Sequence, residues 1–161
     1  LGGVVVSERI ADYFEDNMLS CGLTYSSHPL ACAAALATLE VYQEDGLIEN
    51  AASLGQVLGE RLEEMKDRHP SVGEVRYIGL FAAIELVKDR TSKEPLIAWN
   101  AKGQDLAPMK AIAAHMRENG LYIFLPKHML LIAPPLCITS EQLDEGLAII
   151  NGALELADRQ L

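Results

Sequence analysis

Gly22-Leu23-Thr24-Tyr25-Ser26-Ser27-His28-Pro29, followed at residues 30–37 by LACAAALA, is the stretch on which the fold turns. Residues 21–27 carry no apolar period and read as a loop. Pro29 then stands at a first helical position, where its missing N–H costs nothing, and Asp45-Gly46 stops the helix. Alanine runs almost all round residues 31–42. Such a helix is expected to lie buried closely against its neighbours.

Towards the N-terminus, Leu1-Gly2-Gly3 reads as a loop entering a strand-like Val4-Val5-Val6, and Ser7 is placed to cap a short helix carrying Ile10, Ala11, Tyr13 and Phe14. A start at Leu1 rather than Met reads as a cut in a longer chain. Towards the C-terminus, a helix over residues 48–68 sets Leu54, Val57, Leu58, Leu62 and Met65 on one stripe and is ended by His69-Pro70. Val72, Val75 and Ile78 lead to Gly79, and Phe81, Ala83, Glu85 and Val87 follow, which predicts an antiparallel pair. Residues 88–104 read as irregular. Asp105 opens a helix through Met109, Ile112, Ala113 and Met116, with Gly120 as its stop signal. Short strands are expected at residues 121–125 and 129–132, and Thr139 with Gln142 has the spacing of a capping box before a last helix carrying Leu143, Leu147, Ile150, Leu154 and Leu156. The order predicts an α+β fold, a small antiparallel sheet covered by helices.

With 50% hydrophobic residues in 161 and a mean hydropathy of +0.12, the chain can form an ordered core. A net charge of -10, from 13 basic and 23 acidic residues, excludes the basic surface that nucleic acid or an anionic membrane requires. No run approaches the roughly 18 apolar residues of a membrane span. Cys21, Cys32 and Cys137 stand in apolar contexts and read as buried free thiols of a reducing, cytoplasmic compartment.

The common catalytic signatures are absent: HExxH, paired CxxC, a phosphate-binding P-loop and GxSxG do not occur. His28, His69, His115 and His128 lack metal-ligand spacing, so no metal site is expected. On residue chemistry alone, Thr24 and Ser27 have two readings. They terminate a turn and cap the helix, or they help a helix N-terminus hold an anion.

The segment from Gly22 to Pro29 with LACAAALA, the opening LGGVVVSERI, and GLFAAIELVKDR and APPLCIT further on, together resemble class III aminotransferases of fold type I in their expected order. The resemblance implies pyridoxal 5'-phosphate as cofactor and a homodimer. It also implies a division into the end of the large cofactor-binding domain (1–23), an interface loop and linking helix (24–46) and a small C-terminal domain (47–161). Thr24 is then implied to reach the cofactor phosphate of the partner subunit. The Schiff-base lysine of the family is expected upstream of Leu1, so the isolated chain is expected to be inactive. Lys102, in Ala101-Lys102-Gly103, is read as a solvated surface lysine rather than as that group.

Many members of the family carry an arginine two residues before Ala-Pro-Pro-Leu, where its fork suits a substrate carboxylate. Here that residue is Leu131. The departure implies an amine, ω-amino acid or aminosulfonate donor, as in the taurine–pyruvate and ω-amino acid–pyruvate branches, and pyruvate or a similar keto acid as acceptor. Lys127 has two readings, a movable positive charge for the substrate and an exposed turn lysine. Glu85 and Arg90 have two readings, a polar pair near a site and solvated charges at a strand end, and Trp99 and His128 read as structural. Two alternatives stay open: an aminomutase or decarboxylase on the same scaffold, and a non-catalytic interaction or regulatory domain. Self-association is expected to cover the apolar faces.

Overall fold

The computed structural model describes residues 1–161 and divides into two compact units, Leu1–Gly46 and Leu47–Leu161. The first contains α1 (Glu8–Asp16) and α2 (Pro29–Glu44). Ser7 precedes α1 and caps it through its backbone carbonyl, which accepts from the Ile10 and Ala11 N–H groups. Pro29 stands in the first turn of α2, as its fixed φ favours. Two expectations fail here. Residues Val4, Val5 and Val6 form no strand, since nothing in the chain supplies the ladder partner that a strand needs. The alanine-rich α2 buries none of its residues within this chain; Leu30, Leu36 and Leu39 are all exposed.

The second unit runs α3 (Leu47–Arg68), β1 (Val72–Ile78), β2 (Phe81–Asp89), β3 (Glu94–Pro95), a 3₁₀ turn (Gly103–Leu106), α4 (Ala107–Glu118), β4 (Met129–Ile132) and α5 (Ser140–Asp158). β2 is central. It pairs antiparallel with β1 from Ile78↔Phe81 to Val72↔Leu86, with β4 from Ala82↔Ile132 to Glu85↔Met129, and with β3 at Val87↔Pro95. This is the small antiparallel sheet with helices expected from the sequence. Leu58 and Leu62 of α3, Val72, Ile84, Leu86, Leu130, Ile112 and Leu154 are the centre of its core, essentially without solvent contact. Truncating one such leucine to alanine costs about 2–5 kcal/mol.

α3 approaches the hairpin closely because two of its residues lack a side chain. A Cβ at Gly55 would stand 2.5 Å from the backbone of Gly79 in the β1–β2 turn, and one at Gly59 would stand 2.2 Å from the Tyr77 ring. The α5 start is a complete capping box: the Thr139 hydroxyl accepts from the Gln142 N–H, and the Gln142 side chain accepts from the Thr139 N–H.

Several local readings are corrected. β2 buries Ala82, Ile84 and Leu86, and Val87 besides, while Phe81 is exposed and Ala83 and Glu85 are half-buried. Both phases of that strand carry apolar side chains, so only packing against the helices selects one. Residues 88–104 are not wholly irregular: β3 adds to the sheet, and Leu96 and Ile97 are buried beside it. Residues 121–125 make only an isolated bridge, Phe124↔Leu131, and the following Pro126 has no N–H with which to extend the ladder. Asp105 lies in the 3₁₀ turn, with the helix proper starting at Ala107. The cysteines are free, but Cys21 and Cys137 are exposed in loops and Cys32 is half-buried. No helix is long and apolar enough to cross a membrane.

Candidate functional site

Thr24 begins the turn at residues 24–27 that leads into α2. Ser26 N–H donates to the Leu23 carbonyl at 3.0 Å and His28 N–H to that of Tyr25 at 3.3 Å. Ser27 takes a left-handed φ of 55°, which turns the chain sharply into the helix. Thr24 is exposed, and α2 is a 16-residue helix without an acidic residue in its first turn. A hydroxyl ahead of a helix N-terminus suits an anion, because the orphan N–H groups and the helix dipole favour negative charge.

In the second unit, Leu131 lies on β4 opposite Ala83 and donates its N–H to the Phe124 carbonyl at 2.9 Å. It lines a cavity of about 370 Å³ between the β4 edge, residues 121–124 and α5, whose other walls include Phe81, Ile123, Pro134 and Leu147. Gln142 is the one amide side chain among them. A smaller cavity of about 260 Å³ lies over the sheet and is lined by Leu131, Ala83, Phe81, Ile78 and Arg76.

Lys127 is not among the residues of either cavity. It adopts a left-handed φ of 60° and holds its ammonium 5.6 Å from the centre of the Trp99 ring, a cation–π arrangement. Trp99 in turn meets His128 edge-on at 6.4 Å, and His128 Nδ1 is buried without a hydrogen-bond partner. Lys102 is exposed ahead of the 3₁₀ turn.

Glu85 and Arg90 do not pair. Glu85 takes the Arg76 guanidinium at 2.7 Å across the hairpin. That contact holds the Arg76 guanidinium above its already high ordinary pKa. Arg90 instead donates to the carbonyls of Val72 at 2.9 Å and His69 at 2.6 Å, and also to that of Lys66. It fastens the end of α3 to the sheet.

One polar cluster went unnoticed in the sequence. Asp158, in the last turn of α5, accepts from the Ser71 hydroxyl at 2.6 Å and the Ser71 N–H at 3.1 Å, and faces His69 Nδ1 at 2.7 Å. His69 Nε2 faces the Asn151 side-chain oxygen at 3.1 Å. Burial pushes the Asp158 carboxyl up, but the hydrogen bonds from Ser71 and His69 together outweigh it and leave it below the usual range. Residues 69–71 and 151–158 are far apart in sequence, and no local spacing links them. The cluster joins the end of α3 to the end of α5.

The chain matches the family model "Aminotransferase class-III" over residues 1–154. It is 34% identical to the probable 4-aminobutyrate aminotransferase of Bacillus subtilis over 96% of this chain and 34% of that protein. It is likewise 34% identical to the putrescine–pyruvate aminotransferase of Pseudomonas aeruginosa, over 96% of this chain and 33% of that protein. Among solved structures it resembles the taurine:2-oxoglutarate aminotransferase of Bifidobacterium kashiwanohense, in complex with PLP and glutamate. The TM-score is 0.85 at 38% identity, over 96% of this chain and 34% of that one. The chain belongs to the class III aminotransferases, a family dependent on pyridoxal phosphate. It spans about a third of the length of the curated relatives it matches.

Proposed function

We propose that these residues are the C-terminal part of a pyridoxal-phosphate aminotransferase. It moves an amino group from an amine, ω-amino acid or aminosulfonate donor to pyruvate or a similar keto acid. The observation that carries this reading is Leu131, an apolar residue that lines both cavities of the sheet edge. An apolar wall accepts a methylene chain and, unlike an arginine at this position, adds no fork for an α-carboxylate. The donors named for relatives, putrescine and taurine, lack an α-carboxylate.

In this reading residues 1–23 close the large cofactor domain, residues 24–46 are the interface loop and linking helix, and residues 47–161 are the small domain. The exposed Thr24 hydroxyl and the N-terminus of α2 fit a dianionic phosphate, and they serve the site of the partner subunit in a homodimer. Lys127 is read as an exposed turn lysine, its ammonium over Trp99 and outside both cavities. The bound cofactor supplies an electron sink for bond breaking at the amine carbon. Its anchoring lysine comes from outside these 161 residues, so the chain alone does not turn over. A cytoplasmic location is part of the proposal, supported by three free cysteines.

The test uses the protein as its natural source produces it, with its mass and the reading frame ahead of Leu1 determined first. Purified protein is given taurine, β-alanine and putrescine as donors with pyruvate or 2-oxoglutarate, and L-alanine with 2-oxoglutarate alone. The expected result is amino transfer from the donors without an α-carboxylate. Transfer from none of them would sink the proposal.

A further inference from the structure

The sheet register places Arg76 on the same face as Leu131. Arg76 pairs with Ala83 across β1 and β2, and Ala83 pairs with Leu131 across β2 and β4, so the three form one row. The outer two stand about 10 Å apart at the usual strand spacing. The middle side chain is a single methyl, which leaves room above β2. The cavity of about 260 Å³ on this face has Arg76 at one wall, Leu131 at another, and Ile78 and Phe81 between.

Arg76 is 54% exposed, and its Nη2 donates to Glu85 Oε1 at 2.7 Å. A guanidinium carries five N–H donors in a planar fork, so one carboxylate contact leaves donors for a second acid group. The pairing also restrains the arginine side chain and lowers the entropy lost when a ligand is held. No lysine lines this cavity; the Lys127 ammonium stands over Trp99 instead.

We infer that Arg76 anchors the acid group of the amino donor and thereby sets its class, a short ω-amino carboxylate or aminosulfonate. The acid group takes the free edge of the guanidinium, and the methylenes lie over Ala83 and Leu131. Glu85 orients the fork. This inference rests on the aminotransferase reading above and names the part of the donor that the reading leaves open.

The test measures binding of taurine, β-alanine and butylamine to the intact protein by calorimetry, beside KM and kcat for the same three donors. Arg76→Ala is expected to weaken both acids by about tenfold or more, with butylamine unchanged. Lys127→Ala is expected to leave the preference for acids over butylamine in place. If Arg76→Ala does not fold, Arg76→Lys is read in its place: it keeps the charge but loses the fork, and a several-fold loss is expected for the acids alone. An equal loss for all three ligands, no loss, or a loss that follows Lys127 would overturn the inference. If the intact protein binds the acids through Arg76 but transfers no amino group, the proposed reaction fails and the anchoring stands.

Discussion

Gly55 of α3 lies against Gly79 of the β1–β2 turn so closely that a methyl group on Gly55 would stand 2.5 Å from the Gly79 Cα. The obstructing atoms are backbone, and Gly79 itself sits at a φ of 52°, so the turn has little freedom to retreat. Gly55→Ala is therefore expected to destabilise the fold by about 1–3 kcal/mol, despite alanine's better helix propensity. Denaturant midpoints of the two proteins check this.

Gly59→Ala is expected to cost less. The atoms a methyl group would meet belong to the Tyr77 ring, and that side chain is half exposed and able to swing outward. The expected loss is below about 1.5 kcal/mol, with a change in Tyr77 fluorescence as the accompanying signal. A Gly59→Ala protein less stable than Gly55→Ala would mean that the ring is held more firmly than the turn.

Asp158 makes part of the stability depend on acid. Its carboxyl is depressed in the folded chain, where hydrogen bonds from Ser71 and His69 outweigh burial. A group depressed on folding stabilises above its unfolded value of about 3.9, and that contribution is lost as pH falls through the lower folded value. Stability of the parent protein should thus decline below about pH 5 in part through this residue. Asp158→Asn should lower stability at neutral pH by about 1–3 kcal/mol, the cost of disturbing buried partners. The gap from the parent should narrow as pH falls. Urea unfolding at several pH values measures both.

The elements with strong local signals were legible in the sequence. Pro29 marked the start of α2, Thr139 and Gln142 that of α5, and the apolar stripe of Leu58, Leu62 and Met65 marked the buried face of α3. What was hidden depends on residues brought together from afar. The burial phase of β2 followed from its packing against the helices, because Phe81 and Ala83 are as plausible inward as Ala82 and Ile84. β3 consists of two residues and has no period to detect. At the candidate site, Leu131 was legible only as a departure from a family pattern. The pairing of Arg76 with Glu85, nine residues apart, needed the hairpin register. The Asp158 cluster needed the meeting of two helix ends.

The capping box offers a local test. Thr139→Ala removes the acceptor for the Gln142 N–H, and a helix N-cap of this kind contributes about 1 kcal/mol. Gln142→Ala removes the reciprocal bond to the Thr139 N–H. Because the two bonds form one motif, the double variant should lose less than the sum of the single losses. Strict additivity in thermal or denaturant unfolding would show that the two bonds act independently.

Leu131→Arg tests the placement of this residue beside the substrate in the intact protein. Leu131 is half-buried on an edge strand and opens onto two cavities, so a longer side chain has room to extend. A guanidinium there offers a fork to an α-carboxylate and removes an apolar wall from a methylene chain. The ratio of kcat/KM for L-alanine to that for butylamine should rise by about tenfold or more, partly because the monoamine loses apolar contact. The change should fall mainly on KM if the residue contributes to binding alone. A ratio that moves by less than about twofold, in a variant that unfolds at the parent's midpoint, would place Leu131 away from the donor. The specificity would then have to be sought elsewhere on the sheet.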